Sequence, residues 1–197
     1  MGRPSSFTAD ALLDAARRVV LRHGVRGTTV AAIAAEAGAP VGSIYHRFNS
    51  VDDVLAQVWL RAAAATQQLP ETLVADEKLD PRSRAQQIAI AFYDHCLANA
   101  EDTRVLDQIT QQDLARLKLQ PAQRAKVNES NRAAARQVAG MAQALFGTAD
   151  REACDLVVLG LVDLPASFAR RHLLDGMSPP PQRRKQLPAA VAAILST

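Results

Sequence analysis

The chain has 197 residues, 48% of them hydrophobic and only 4% aromatic, with a formal net charge of +3. This length and apolar content allow a buried core in one domain or in two small ones. No apolar run is long enough to cross a bilayer, and the first ten residues lack the apolar core of a signal peptide, which predicts a cytoplasmic protein without a membrane segment. The two cysteines, Cys96 and Cys154, are far apart in sequence and have no zinc-type spacing, so we expect no metal site and two partly buried thiols.

Frequent alanine and few β-branched runs predict an all-α fold. The first helix begins after Thr8, a good N-cap, and ends at Gly24. Thr28 or Thr29 caps a short second helix, which Gly38 stops.

The third helix has Pro40 in its first turn and extends to about Phe48, with Ile44 and Phe48 on its buried side. Ser50 caps a long fourth helix to about Gln68, and Asp53 lies where an acid can bond back to the helix start.

The second half of the chain continues this helical pattern. Residues 70–81 are predicted to form a loop after the Leu69-Pro70 break, followed by helical periodicity from Ile88 to Leu97 and a short element from Thr103 to about Gln111. A long helix runs from Pro121 to Phe146, the next begins after Asp150 and is kinked at Pro165, and a proline-rich connector precedes the last helix. The total is about nine helices and no convincing strand.

The positive charge is concentrated near the start of the chain. Residues 1–50 contain six arginines and three acidic residues, whereas the remainder is neutral. A segment that contacts a polyanion has such a distribution, although an excess of three charges also arises by chance.

The run from Thr28 to Phe48, TTVAAIAAEAGAPVGSIYHRF, is typical of a helix-turn-helix. Small residues on its first helix allow the second to pack closely across it. The second helix then exposes a side free of acidic residues for the major groove. That side comprises Val41, Gly42, Tyr45 and His46, with Ser43 and Arg47 flanking it.

Over roughly residues 8–66 the sequence resembles the tetracycline-repressor-like (TetR) family of bacterial regulators. The pattern consists of Gly24, Thr28-Thr29-Val30, Ile33-Ala34, Ala37-Gly38, Ile44-Tyr45 and Phe48. The resemblance implies a DNA-binding domain at 1–50, a ligand-binding and dimerisation domain at 51–197, and a repressor in the bacterial cytoplasm, associated with the nucleoid. Its partners would be pseudo-palindromic operator DNA and a small-molecule effector that releases it, and activation remains an alternative.

The resemblance also implies roles for single residues. Thr28 and Thr29 start the second helix, and Thr29 would bond a phosphate. Val41, Gly42 and Ser43 would face base edges, while Tyr45 and His46 would contact the DNA backbone. Arg47 would reach either, and Arg3 in the N-terminal arm would add a phosphate or minor-groove contact.

Two positions depart from the family pattern, in which a polar cap and a lysine are common at the places of Pro40 and Val51. Because neither Ala39 nor Pro40 has a capping side chain, we hypothesise that a DNA phosphate satisfies the first amides of the third helix. The missing lysine predicts one phosphate contact fewer per subunit.

The domain at 51–197 would hold the ligand and the dimer interface. The candidate pocket residues are Trp59, Phe92, His95, Cys96, Gln108, Met141 and Phe168. For each of them plain core packing is the alternative, and the scarcity of aromatics favours a compact or aliphatic ligand. The candidate interface residues are Leu156, Leu159, Gly160, Leu187, Val191 and Ile194. The alternative is that these stripes only complete the core of the monomer.

An enzyme and a protein-binding adaptor are the alternative classes of function. An enzyme is disfavoured because no phosphate loop, nucleophile elbow or metal-binding helix motif is present, and the four histidines are scattered. No cofactor is implied. A helical adaptor for another protein would not account for the basic first quarter with its groove-reading pattern.

Overall fold

The structure is a computed structural model that describes residues 7–74, 79–174 and 177–196, and within these ranges it contains helices and their connections but no strand. The α-helices are α1 (Ala9–Gly27), α2 (Val30–Ala37), α3 (Val41–Tyr45), α4 (Val51–Val74), α5 (Pro81–Ala98), α6 (Ala100–Gln108), α7 (Gln111–Arg116), α8 (Pro121–Phe146), α9 (Arg151–Val158), α10 (Leu164–Leu174) and α11 (Pro181–Ile194). A π-helical turn, Leu159–Asp163, joins α9 to α10, so that the described residues form ten helices when this pair counts as one. The all-α prediction is confirmed.

The first helix starts as its sequence predicts and ends later. The Thr8 hydroxyl accepts a hydrogen bond from the Ala11 amide at 3.1 Å. Gly24 has a φ of 70°, a conformation that favours glycine, and it interrupts the helix where the sequence predicts its end. Helical structure nevertheless resumes for a further turn, to Gly27.

The start of α4 has the predicted reciprocal cap. The Ser50 hydroxyl accepts from the Asp53 amide at 3.1 Å, and the Asp53 carboxylate accepts from the Asn49 amide at 3.2 Å. The predicted end near Gln68 is wrong, because the helix continues through Pro70 to Val74. Proline removes one helical hydrogen bond, but this local loss does not end α4.

Two other predicted boundaries also need correction. α5 begins seven residues before Ile88, because the Asp80 carboxylate accepts the amides of Arg82 and Ser83, each at 3.1 Å. The single element predicted from Thr103 to Gln111 is in fact α6 followed by α7, where Thr110 caps a helix that the sequence analysis missed.

The irregularity expected at Pro165 takes the form of the π turn immediately before it. Proline has no N–H to donate to the carbonyl four residues earlier, which lies within that turn. The proline-rich connector is confirmed as non-helical over 177–180, and α11 begins at Pro181.

The chain forms two compact units. Unit 1 comprises residues 1–63 and 101–128, and unit 2 comprises residues 64–100 and 129–197. Helices α4 and α8 therefore supply residues to both units. Among the residues described, no helix is both long and apolar enough to cross a membrane.

Each unit has its own core. In unit 1, α1 and α2 pack together, and their buried side chains join those of α3, the first half of α4 and residues 105–127. In unit 2, α5 packs against α10 and α11 around a second cluster that includes Tyr93, Leu161 and Leu187. The segment 101–128 thus belongs to the same compact unit as the first three helices.

Candidate nucleic-acid interface

The turn between α2 and α3 fixes how the third helix is presented. Gly38 ends α2 with a φ of 61°, which an L side chain rarely adopts. Its amide donates to the Ala35 carbonyl, and the Ala39 amide donates to the Ala34 carbonyl at 2.9 Å. Ile33 and Ala34 are buried beneath this turn. The helix-turn-helix predicted from the sequence is therefore present.

The third helix has one buried side and one open side. Ile44 and the following Phe48 lie in the core of unit 1, which confirms the predicted inner face. The side chains of Val41 and Tyr45 are 45% and 60% exposed. Gly42 and His46 are also exposed, whereas Ser43 and Arg47 are half-buried. Since α3 ends at Tyr45, His46 and Arg47 stand on the turn that follows it and not within a helix extending to Phe48.

The two threonines before the second helix differ in exposure. Thr29 is the N-cap of α2, where its hydroxyl accepts from the Ala32 amide at 3.1 Å, and its side chain is exposed. Thr28 differs, because it is 5% exposed and its hydroxyl donates to the Gly24 carbonyl at 2.8 Å. The Thr28 hydroxyl is thus hydrogen-bonded within the protein. Arg3, the other predicted contact, lies outside the described residues.

The arginines of α1 are largely neutralised by partners that a linear charge count does not reveal. Arg18 and Arg22 both bind Glu36, at 2.6 and 2.8 Å. The hydrogen bond from Arg18, followed by that from Arg22, holds the pKa of Glu36 below its ordinary value. Arg17 bridges Glu101 at 2.9 Å and Asp102 at 3.0 Å.

The formal net charge of +3 nevertheless belongs entirely to unit 1. This unit has twelve Lys and Arg residues against nine Asp and Glu residues, whereas unit 2 has eleven of each. Arg17, Arg18 and Arg22 are held in ion pairs within unit 1. The exposed side of α3 carries Val41, Gly42, Tyr45 and His46.

The two departures from the family pattern have distinct surroundings. Pro40 is the residue just before α3, and the structure shows no side-chain hydrogen bond capping this helix. The Ser43 amide donates to the Pro40 carbonyl at 2.9 Å, so this one of the first amides of α3 is satisfied within the protein. The hypothesis of a phosphate at the start of α3 then concerns the amides of Val41 and Gly42. Val51 packs against the core of unit 1.

The proposed pocket residues do not form one cluster. Trp59 is buried in the core of unit 1, where Gln108 also lies with its amide 3.4 Å from the Leu21 carbonyl. The other five belong to unit 2. Cys96 and Met141 are buried in its core, Phe92 and Phe168 pack against it, and the ring of His95 lies 3.1 Å from the Asn99 amide.

The proposed interface residues also divide into two groups. Leu187 and Val191 are 0% exposed within a single chain, so they complete the core of unit 2, as the alternative interpretation held. A Cβ at Gly160 would lie 3.4 Å from Leu195 and 3.6 Å from Ile194, so this glycine admits the end of α11 of the same chain. Leu159, by contrast, is 46% exposed. It lines an open groove along α9 with Arg151, Glu152, Asp155 and Leu156.

One relationship near the candidate interface was missed by the sequence analysis. The Lys118 amide donates to the Asp52 carboxylate at 2.7 Å, which joins the segment after α7 to the first turn of α4. Asp52 looks like an ordinary first-turn acid in the sequence. Only the turn formed by α7, which Arg124 stabilises by donating to the carbonyls of Leu114 and Leu117, brings the amide of Lys118 to it.

Comparisons with known proteins agree with this geometry. Residues 12–58 match the family model described as bacterial regulatory proteins, tetR family. A search of curated protein sequences gave no significant match. The fold is similar to that of a TetR-like transcriptional regulator from Rhodococcus sp. RHA1, with a TM-score of 0.70, 17% identity and coverage of 99% of this chain and 97% of the other.

Two further structures share the fold over nearly their full lengths. The TetR family transcriptional regulator PfmR from Thermus thermophilus gives a TM-score of 0.68 at 18% identity, covering 94% of this chain and 97% of that one. FadR from Bacillus subtilis, solved in complex with stearoyl-CoA, gives 0.62 at 17% identity, covering 96% of each chain. The match to the tetR family model is thus confined to residues 12–58, and the solved structures show that the chain shares the fold of these regulators.

Proposed function

We propose that the chain is a DNA-binding transcriptional regulator, and that the open strip of Val41, Gly42, Tyr45 and His46 enters the major groove. The observation that carries this proposal is the exposure of that strip on a helix whose opposite side is buried. In helix-turn-helix proteins the second helix lies in the major groove and contacts base edges with its first residues.

The proposed contacts follow from the positions of the side chains. Val41, Gly42 and Ser43, in the first turn of α3, would face base edges. Tyr45, His46 and Arg47 come later and would contact the DNA backbone, with Arg47 also near the bases. Thr29 and the Arg3 arm would add phosphate contacts, and Thr28 is left out because its hydroxyl is used internally.

The test measures binding to the DNA upstream of the chain's own gene. Fluorescence anisotropy of the labelled DNA gives the affinity at several salt concentrations. We expect salt-sensitive binding that weakens in Tyr45→Ala and His46→Ala. His23→Ala is a matched control, because His23 is also an exposed histidine of unit 1 but lies on α1. Absence of DNA binding by the folded, ligand-free protein would overturn the proposal.

We also propose that the protein acts as a homodimer, because one half-site gives limited affinity and specificity, and paired recognition helices about 34–36 Å apart match one turn of DNA. Leu159 and the groove on α9 offer exposed surface for this contact, and Leu156 in that groove is only half-buried. Ile194, at the end of α11, is also half-buried. The buried Leu187 and Val191 are not part of the proposed interface.

Light scattering tests the dimer. The wild-type chain should have twice the monomer mass, and Leu159→Glu should shift it toward the monomer. Leu159→Met keeps an apolar side chain at the same position and should leave the mass unchanged. A monomeric wild type would refute the homodimer, and a dimer unaffected by Leu159→Glu would refute this interface.

The effector is proposed to bind in unit 2, whose core is apolar and includes four of the predicted residues at its centre or edge, Phe92, Cys96, Met141 and Phe168. Ligand sites in proteins are mostly apolar with a few polar groups, and His95 would supply one of these. The scarcity of aromatic residues favours an aliphatic effector. Stearoyl-CoA in the structure of FadR from Bacillus subtilis is an example of such a ligand on a similar fold.

A thermal-shift series tests the class of effector. Fatty acids and acyl-CoA thioesters of increasing chain length should raise the melting temperature, whereas a large planar aromatic such as ethidium should not. Met141→Trp, which fills the core of unit 2, should abolish the shift, while Trp59→Phe in unit 1 should retain it. Stabilisation by planar aromatics alone would overturn the proposal.

The proposed mechanism is repression that ends when the effector binds, because a ligand shifts the population toward whichever conformation it binds better. Helix α4 begins directly after the recognition helix and continues into unit 2, so a tilt of α4 would change the spacing of the two half-site contacts. Such a protein would lie with the nucleoid in the cytoplasm. In vitro transcription should rise on adding effector, and a fall would indicate activation instead.

Regulation without catalysis is part of this proposal, and the family match in residues 12–58 supports it. Within the described residues no group of three His, Cys, Asp or Glu side chains is arranged to hold a metal ion. A helical adaptor for another protein is the second candidate function. Affinity for DNA that falls with Tyr45→Ala would distinguish the regulator from both.

A further inference from the structure

The open strip of α3 contains two large, mainly apolar side chains, Val41 and Tyr45. Val41 is 45% and Tyr45 60% exposed, and among the side chains that the structure describes only two other large hydrophobic residues, Leu159 and Met177, are exposed to a similar degree. Val41 and Tyr45 are four positions apart, so they lie one turn apart on the same side of α3. Exposed apolar side chains grouped in this way typically mark a contact surface.

Of these two side chains, Val41 has no hydrogen-bonding group, whereas Tyr45 has a hydroxyl. It is the first residue of α3, where helix-turn-helix proteins contact base edges. Among the base edges of the major groove, the C5-methyl group of thymine is the apolar feature, whereas the other groups are hydrogen-bond donors and acceptors. An apolar side chain at this position therefore matches thymine and leaves any other base without a partner.

The neighbouring residue allows the close approach that this contact requires. A Cβ built on Gly42 would meet no atom within 4 Å beyond its chain neighbours and the backbone of its own helix, so the space outside α3 at this position is open. A methyl–methyl contact needs heavy atoms within about 4.0–4.5 Å, and a glycine next to Val41 leaves room for a base pair to reach it. Ile44, three positions later, is buried in the core of unit 1 and holds α3 against it.

We propose that Val41 reads the C5-methyl group of one thymine in each half-site of the operator. This inference rests on the proposed DNA-binding function and adds to it a base that the protein recognises. The contact is apolar, so it contributes to sequence preference without changing the number of phosphates contacted or the salt dependence.

The probe for the test is the duplex that wild-type protein retains most tightly from a pool of random-sequence duplexes. Each thymine of this duplex is then replaced singly by deoxyuridine, which removes only the methyl group. We expect one thymine per half-site at which this change weakens wild-type binding about fourfold, the effect of one buried methyl group. The remaining thymines should respond little.

Protein variants assign the effect to Val41. In Val41→Ala, binding to the thymine duplex should weaken and deoxyuridine at that position should have no further effect. Met177→Ala is the matched control, since it truncates an exposed apolar side chain of unit 2, and it should retain the full sensitivity to deoxyuridine. Circular dichroism confirms that each variant is folded, which the exposure of both positions favours.

Each outcome has a separate meaning. If a duplex is retained but no thymine is sensitive to deoxyuridine, or if Val41→Ala is as sensitive as the wild type, this inference is overturned while the proposed function stands. If the folded protein retains no duplex even at low salt, the proposed function and this inference both fail. Retention of a protein partner by the same strip, with deoxyuridine having no effect, would identify the strip as a protein-binding surface.

Discussion

The Lys118 amide donates a hydrogen bond to the Asp52 carboxylate at 2.7 Å, across 66 positions of sequence. Asp52 is in the first turn of α4, four residues after the buried Phe48 that follows α3. Lys118 belongs to the segment between α7 and α8. The contact therefore ties the middle of the chain to the helix-turn-helix within unit 1.

Removing this carboxylate should release the Lys118 amide. We expect Asp52→Ala to lower the free energy of unfolding of unit 1 by about 1 kcal/mol, because a hydrogen bond to a charged group and a favourable first-turn charge are both lost. Hydrogen exchange should also accelerate at Lys118. Asp10→Ala removes the first-turn acid of α1 and should leave exchange at Lys118 unchanged. Unaltered exchange at Lys118 in Asp52→Ala would contradict this assignment.

The Glu36 ion pairs should make stability depend on pH. The pKa of Glu36 is lowered in the folded protein by Arg18 and then Arg22, so its stabilising effect is present at neutral pH and is lost as pH falls through that lowered pKa. Between about pH 7 and about pH 3, the melting temperature of the wild type should therefore fall further than that of Glu36→Gln. Glu152→Gln, at an exposed glutamate of α9, should behave like the wild type. Parallel pH profiles for Glu36→Gln and the wild type would argue against the ion pairs.

A lysine at position 51 should add a phosphate contact. The slope of log affinity against log salt concentration should steepen by about 0.9 per subunit in Val51→Lys, because each neutralised phosphate releases counterions. Val51 packs against the core of unit 1, so Val51→Gln controls for lost packing without added charge. Anisotropy titrations at several salt concentrations measure both slopes. The same slope in Val51→Lys and Val51→Gln would rule out the added contact.

The two-bonded ion pair between α11 and α5 should make the stability of the protein depend on having arginine, not lysine, at position 184. Arg184 binds Asp94 through Nε at 2.8 Å and through Nη2 at 2.8 Å, and these bonds raise the pKa of Arg184. Both side chains are partly exposed, so we expect Arg184→Lys to lose only about 0.5–1 kcal/mol in denaturant unfolding. Arg183→Lys, at the exposed neighbouring arginine, should have a smaller effect. In the Asp94→Asn background the Arg184→Lys loss should shrink, and an undiminished loss would show that the pair is not its cause.

The helix-turn-helix could be predicted because its signals are local. Ile44 and Phe48 are four residues apart on the buried side of α3, and Gly38 marks the turn. The short α7 was missed because six residues carry too little periodicity, although its cap, Thr110 with Asp113, was visible in the sequence. The end of α4 was predicted wrongly because Pro70 is a strong local helix breaker. The helix nevertheless continues through it to Val74.

Partners distant in sequence could not be predicted. The bridge from Arg17 to Glu101 and Asp102 joins α1 to the region of α6, so the basic first quarter was counted without its neutralising acids. The apolar stripe of α11 suits a monomer core and a dimer interface equally well, because periodicity shows which side is buried but not what buries it. Only the packing of Leu187 inside unit 2 distinguishes the two.

The central claim is that α3 and the cap of α2 contact DNA, and hydrogen exchange with and without the selected duplex tests it most directly. The account predicts that protection on binding is concentrated at Thr29 and residues 41–47, with the outer face of α9 unchanged. Protection confined to unit 2, or no protection at residues 41–47 under conditions in which the duplex is bound, would contradict it.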